Sequence, residues 1–236
     1  NKLGYTSYKP WDTAVDVDGL DPLKPFSGGA ELTDLSIECF NKLRPYFGEC
    51  LATMKEMKYL DLESKDGKAP GGFMYPLYEI GVPFIYMNAV GSQRDVVTMV
   101  HEGGHAVHSF LSRDLELTEF KSTPSEVAEL ASMSMELLSM THWDVYYNSK
   151  EELKRSKKEQ LEKALGGLPW IAAIDKFQHW IYTTEHTADE RREYWKIIIS
   201  ELGNQVIDWS GQEDSLDNQW QNQLHLYEVP FYYIEY

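Results

Sequence analysis

Two histidines four residues apart, with a glutamate directly after the first, are the residues of this 236-residue chain best suited to chemistry. They are His101, Glu102 and His105, in the stretch HEGGHAVH. On a helix, side chains four residues apart lie one above the other, so both imidazoles can reach one ion at Zn–N distances of about 2.0–2.1 Å. Glu102 is rotated by about 100° around the helix axis, which suits a general base beside that ion. The spacing therefore predicts a zinc hydrolase.

A glycine pair, Gly103 and Gly104, separates Glu102 from His105. Each glycine disfavours a helix interior by about 1 kcal/mol relative to alanine. We expect that a substrate or a packed neighbour approaches the backbone closely at this point. Apolar residues recur at helical spacing across residues 94–111, and they predict an amphipathic helix with a buried side.

A catalytic zinc usually has three protein ligands and one open position, so a third ligand is expected downstream. Residues 122–138 begin with helix-start residues and continue with small and apolar ones, as in a buried helix. Glu126, Glu129 and Glu136 lie on this segment, and burial of a carboxylate is unfavourable unless it is paired or bound to a metal. Glu129 follows His105 by 24 residues. This length lets the first helix end, the chain turn and the second helix return alongside the first, with Glu129 on it. Glu126, one turn earlier, is the alternative ligand, or a residue that orients a ligand histidine.

The chain resembles a known family, the zinc oligopeptidases that include thimet oligopeptidase and oligoendopeptidase F, and is closer to the latter. The resemblance rests on HEGGHAVH, on PSEVAE at 124–129, on PFIYMN at 83–88 and on the His- and Tyr-rich end at 225–236. It covers most of residues 58–236. It implies an oligoendopeptidase-type zinc metallopeptidase with one Zn²⁺ per chain, held by His101, His105 and Glu129, and it favours Glu129 over Glu126 as the third ligand.

The same resemblance implies the fold and the residues that contact the substrate. The expected fold is mainly α (α+β), a zincin-like helical body with a small β-sheet beside the zinc helix. His225 is implied as a donor to the substrate, and with Tyr232 and Tyr236 it is a candidate for stabilising the oxyanion of the reaction. Tyr227 and Tyr233 are alternatives, and any of these tyrosines can instead pack in an aromatic core.

Composition narrows the function classes. The net charge of −16 argues against a nucleic-acid partner, and no apolar run approaches the roughly 20 residues of a membrane span. We expect a peptide substrate. Cys39 and Cys50 fall in one predicted helix, about 16 Å apart. That distance is too long for a disulfide unless Pro45 folds the segment back, so reduced thiols and a cytoplasmic location are predicted.

The chain begins with Asn1 rather than methionine and resembles only the metal-binding part of a longer family, so we expect it to be a piece of a longer protein. Two alternatives to an endopeptidase stay open. One is a zinc carboxypeptidase that trims C-termini. The other is a metal-binding fragment without turnover.

Residues 1–30, rich in Gly, Pro and Asp, are predicted to be an extended lead-in, and 31–236 a catalytic domain. Predicted strands are 59–62, 72–75 and 83–87. Predicted helices are 33–58 with a bend at Pro45, 92–113, 125–148, 151–165, 168–183, 188–208, 215–222 and a short one from Pro230.

The charged stretch 150–163 is predicted to be a solvated helix face without function. His108 is assigned to packing or to orienting a ligand, and His142, His179 and His186 to structural roles.

Overall fold

The structure is a computed structural model that describes residues 4–236. The described chain forms two compact units. One unit comprises residues 22–161 with Glu235, and the other comprises residues 162–234 with Tyr236 and the described residues up to Asp21. Residues 1–3 of the predicted lead-in lie outside the described part, and the division into a lead-in and a catalytic domain stays a prediction.

In the unit of residues 22–161, helices α1 (Gly28–Leu43) and α2 (Pro45–Glu56) pack against each other. The single bent helix predicted for this region is therefore wrong. Arg44 has an extended backbone (φ −161°, ψ 126°), because a residue before proline avoids the helical conformation, and the proline then starts α2.

A small sheet follows, as predicted. Its strands are β1 (Leu60–Glu63), β2 (Phe73–Tyr75) and β3 (Phe84–Ala89), in the order β1-β3-β2. The central strand β3 runs parallel to β1 and antiparallel to β2. Ile85, Met87 and Ala89 alternate into the core from β3, as the two-residue period of a strand requires. Strand β2 is therefore an edge strand of this sheet.

Helices α3 (Gln93–Ser112) and α5 (Ser125–Ser139) pack extensively against each other, and the short α4 (Thr118–Lys121) lies between them in the chain. Helix α3 also packs on β3 and β2. A 3₁₀ turn, Met140–Val145, follows α5 where a longer helix was predicted. Helix α3 is thus held between the sheet and α5.

Helix α6 (Lys150–Thr183) is continuous where two helices, 151–165 and 168–183, were predicted. Pro169 lies inside it. A proline within a helix costs about 3 kcal/mol, but buried side chains on both sides of it favour the helix. Ser156 and Gln160 are buried before the proline, and Ile174 and Phe177 after it.

The other unit, of residues 162–234 with Tyr236 and the described residues up to Asp21, has its own core, in which Phe177, Trp195, Ile198, Trp220 and Leu226 are buried. Besides the end of α6 it contains α7 (Ala188–Leu202), α8 (Glu213–Asp217), α9 (His225–Glu228) and the 3₁₀ turns Pro10–Ala14, Gln219–Asn222 and Tyr233–Glu235.

Taken element by element, the fold is mainly helical with a three-stranded sheet, which confirms the predicted fold class. Across residues 4–236, none of the helices has both the length and the apolar character that a bilayer crossing demands.

Candidate metal centre

Helix α3 presents the two histidines from a well-defined start. Ser92 precedes the helix, and its hydroxyl and backbone N–H both bond Asp95 in a capping box. Such a box satisfies backbone donors that a helix N-terminus otherwise leaves unpaired. The side chains of His101 and His105 are about 15% exposed, and their ring centroids lie 4.9 Å apart. Both imidazoles therefore face the same place and stay accessible.

Glu129 of α5 reaches this place. Its Oε2 lies 3.2 Å from Nε2 of His101 and 3.6 Å from Nε2 of His105. One ligand atom from each of these three residues lies within 4.8 Å of the others. Ser132 donates a hydrogen bond to the same Oε2 at 2.9 Å, which fixes the carboxylate. The structure thus brings the three predicted ligands together.

Glu126, the alternative ligand, is exposed on α5, whereas Glu129 is 2% exposed. A buried carboxylate needs a partner of opposite charge or a metal. Geometry and burial therefore both favour Glu129.

Glu136 is a part of the site to which the sequence analysis gave no role. Its Oε1 accepts a hydrogen bond from Nδ1 of His101 at 2.7 Å, and Gln160 of α6 donates to its Oε2. Glu136 follows Glu129 by seven residues, which is two helical turns, so the two carboxylates share a face of α5. That spacing was visible in the sequence. The contact with Gln160 was not, because it joins two helices.

The charges of the cluster favour a cation. Burial alone would lower the pKa of His101, but hydrogen bonds to Glu129 and Glu136 outweigh it and raise the pKa to about 10. Burial lowers the pKa of His105 to about 4, so this imidazole is a neutral donor at pH 7. Without a metal, His101 therefore carries an extra proton at pH 7, and its positive charge attracts the carboxylates of Glu129 and Glu136. A metal cation at this place would substitute for that proton.

Glu102 is 6% exposed and lies beside the cluster. Burial raises its pKa to about 7, partly opposed by the charge of His101 and by a hydrogen bond from the backbone of Met74 on β2. A carboxyl group with a pKa near 7 can both accept and release a proton at neutral pH. The hydrogen bond also places the edge strand next to the predicted base.

The other predicted catalytic residues lie in the second unit, which includes residues 162–234 and Tyr236. Nε2 of His225 is 3.2 Å from the hydroxyl of Tyr236, and the ring of Tyr232 lies 6.3 Å from that of His225 and 5.9 Å from that of Tyr236. These three side chains therefore form one cluster, although α9 ends at Glu228 and no single α-helix carries both tyrosines.

The two alternative tyrosines differ from this cluster. Tyr227 is exposed and stacks on Trp220. Tyr233 packs partly on the core of its unit and also contacts His225, with ring centroids 4.9 Å apart. The aromatic-core alternative thus applies best to Tyr233.

The remaining histidines stay outside the metal cluster. His108 is half-buried and lies near His105. His186 accepts a hydrogen bond from Arg191, and His179 contacts Asp175 and the ring of Phe231. A cavity of about 680 Å³ beside the starts of α1 and α3 includes none of the cluster residues, so it is a separate feature.

Two metal-ligand histidines at i and i+4 on a helix, a glutamate ligand from a second helix and a buried glutamate beside them are typical of metallopeptidases. Comparison with known sequences agrees with this class. The profile of Peptidase family M3 matches residues 39–236, and the chain belongs to this family.

Individual relatives are oligopeptidases. An oligoendopeptidase F homolog from Lactococcus lactis subsp. lactis (strain IL1403) is 24% identical over 239 residues, an alignment that covers 99% of this chain and 38% of the relative. Oligopeptidase PepF from Bacillus subtilis (strain 168) is 29% identical over 108 residues, 46% of this chain and 16% of the relative. The solved structure of PZ peptidase A with inhibitor 2 superimposes with a TM-score of 0.91 and 31% identity, covering all of this chain and 42% of that one. The chain thus spans about two fifths of the longest-matching relatives.

Proposed function

We propose that this chain carries the catalytic centre of a zinc-dependent metalloendopeptidase of the oligoendopeptidase type, which hydrolyses peptide bonds in short peptides. The observation that carries the proposal is the convergence of His101, His105 and Glu129 on one place with Glu102 beside it. Membership of a peptidase family and the names of the relatives support the reaction class and the peptide substrate.

The donor set fits Zn²⁺. Two imidazole nitrogens and one carboxylate oxygen are ligands that zinc binds in catalytic sites with a fourth position open. His101, His105 and Glu129 would hold the ion, and the partial exposure of both imidazoles leaves access for substrate. When bound, zinc would polarise the scissile carbonyl and make a water molecule more acidic.

Glu102 would move the proton. Its raised pKa lets the carboxylate take a proton from the attacking water and later deliver it to the leaving amine. Burial suits this role, because a carboxyl group in a poorly solvated place holds a proton more readily than one in water.

Strand β2 is the proposed binding edge for the peptide. An extended peptide can add to the open edge of a sheet through main-chain hydrogen bonds. Phe73 and Tyr75 on β2 are exposed, and Met74 between them contacts the proposed base. A peptide on this edge would therefore lie close to Glu102.

His225, Tyr232 and Tyr236 are proposed as donors to the oxyanion of the transition state. Their mutual contacts would keep the hydroxyl and imidazole groups oriented, which is the condition for strong electrostatic stabilisation. Both cysteines are free and buried, and this supports a reducing compartment, for which we propose the cytoplasm.

Metal analysis combined with a peptide digest tests the function. We expect one zinc per chain, internal cuts in a mixed pool of short peptides by mass spectrometry, and loss of cleavage in Glu102→Gln with zinc retained. Loss of single C-terminal residues would indicate a carboxypeptidase. One zinc without any cleavage would indicate a binding fragment, and near wild-type cleavage by Glu102→Gln would reject the assigned base.

A further inference from the structure

Gln160 is a buried amide in a helix segment that is otherwise highly charged. It lies on α6 among lysines and glutamates, yet it is 3% exposed. Ser156, one turn earlier on the same face, is fully buried. The prediction that residues 150–163 are only a solvated face is therefore wrong for this pair.

The amide of Gln160 is linked to the proposed metal centre through one intermediate residue, Glu136. Its Nε2 donates to Oε2 of Glu136 at 2.5 Å, and Oε1 of Glu136 accepts from Nδ1 of His101 at 2.7 Å. A chain of two hydrogen bonds thus joins α6, α5 and α3. Both oxygens of an ionised carboxylate accept hydrogen bonds, so the partner atom of Gln160 is its nitrogen.

This chain determines how His101 faces the ligand cluster. When the ring is neutral, Nδ1–H donates to Glu136 and the lone pair is on Nε2, which lies 3.2 Å from Oε2 of Glu129. That tautomer is the one a metal ligand needs. Gln160 holds the second oxygen of Glu136, so the carboxylate cannot rotate without losing a hydrogen bond.

The buried amide of Gln160 is unfavourable for the stability of the fold. Oε1 of Gln160 is buried and has no hydrogen-bond partner among residues 4–236. An unsatisfied buried polar atom costs about 1–3 kcal/mol, and an apolar side chain of similar size, such as methionine, would avoid that cost. A polar group at this position is best explained by what its nitrogen does for Glu136.

We propose that Gln160, acting through Glu136, is a positioning residue that orients His101 for metal binding. The inference rests on the proposed zinc site. It assigns a role in the centre to α6, a helix that supplies none of the proposed ligands.

The test compares Gln160→Met with a matched control, Gln93→Met. Gln93 lies in the same unit, accepts a hydrogen bond from Tyr147 and has a buried unpartnered Nε2, but its hydrogen bond goes to no residue of the cluster. Zinc affinity is measured by competition with a chelator, ligand geometry by the visible spectrum of the Co²⁺-substituted protein, and stability by thermal unfolding of the metal-free protein.

We expect Gln160→Met to weaken zinc binding about 10- to 100-fold, the range for loss of groups that orient a ligand, and to alter the Co²⁺ spectrum. Gln93→Met should change neither. In a Glu136→Ala background, Gln160→Met should have no further effect on zinc affinity, because its influence passes through that carboxylate.

If the wild type binds one zinc and Gln160→Met binds it with equal affinity, the positioning role of Gln160 is overturned. The proposed function is then unaffected. An equal loss in Gln93→Met, or a full additional loss in the Glu136→Ala background, would also overturn the positioning role, since both would indicate general damage. A wild-type chain that binds no zinc would instead reject the proposed function, and the positioning role with it.

Discussion

A Cβ atom on Gly104 would lie 2.9 Å from the Cα of Ser132. Helices α3 and α5 therefore approach each other here more closely than two residues with side chains allow. Ser132 lies one turn after Glu129 on the same face of α5 and bonds its carboxylate. The close contact thus brings the third proposed ligand within reach of both histidines, and it explains the glycine that the sequence places in the centre of α3.

Gly104→Ala should separate the two helices. Alanine favours a helix by about 1 kcal/mol over glycine, but overpacking costs about 1–3 kcal/mol, and the atoms in the way include backbone of Ser132 and Ala131. We expect a net loss of stability in denaturant unfolding and weaker zinc binding by chelator competition.

Gly166→Ala is the matched control for that substitution. Gly166 also lies inside a helix, but apart from its chain neighbours and the backbone of its own helix, no described atom is within 4 Å of the Cβ it would gain. The free energy of unfolding should rise by up to about 1 kcal/mol, with zinc affinity unchanged. If Gly104→Ala gained stability equally, the tight contact between α3 and α5 would not be needed.

Glu129→Ala and Glu126→Ala separate the two candidate ligands. Loss of Glu129 removes a carboxylate that contacts both histidines, so zinc affinity should fall by more than the roughly 10- to 100-fold typical of orienting groups. Glu126 is exposed, and its removal should leave the affinity unchanged. A greater loss in Glu126→Ala, measured by chelator competition, would reverse the assignment.

Local periodicity was enough to predict α3, the small sheet and the pairing of two histidines on one helix face. The HExxH spacing is local, and so is the capping box that starts the helix at Ser92. The break between α1 and α2 is sharper than the bend that the sequence predicts. Proline restricts the residue before it, and this effect turned an expected bend into two helices.

The features that could not be predicted from the sequence depend on contacts between residues that are far apart in the chain. Gln160 and Glu136 are 24 residues apart and meet only after α6 folds onto α5. The continuity of α6 through Pro169 is likewise a tertiary effect, since buried residues on each side of the proline outweigh its local preference. Propensity alone favours a break at that position.

Glu102 should destabilise the metal-free protein at neutral pH. Its pKa is raised by burial from 4.5 to about 7, so the folded state binds its proton more tightly than the unfolded state. Below pH 4.5 the group is protonated in both states and carries no penalty. As pH rises from 4.5 through 7 the penalty grows to about 3 kcal/mol and then stays constant.

Glu102→Gln should therefore stabilise the zinc-free chain at pH 8 but hardly at pH 4.5, as measured by urea unfolding at both pH values. Glu126→Gln, which replaces an exposed glutamate of α5, is the control and should change stability only slightly. A stability gain for Glu102→Gln that is equal at both pH values would show that burial does not raise the pKa of this carboxyl group.

Removal of the proposed oxyanion donors should lower kcat without affecting zinc binding. Tyr232→Phe and Tyr236→Phe keep the aromatic contacts with His225 but remove the hydroxyl groups. Loss of one oxyanion donor typically reduces kcat about 10²- to 10³-fold, and His225→Ala should fall in the same range. Tyr227→Phe is the control, because its ring is exposed and stacks on Trp220. Steady-state kinetics on a cleaved peptide would measure the effect.

A loss of kcat confined to Tyr227→Phe would move the donor role to that residue. Loss of zinc in any of these variants would assign the substituted residue to the metal centre instead.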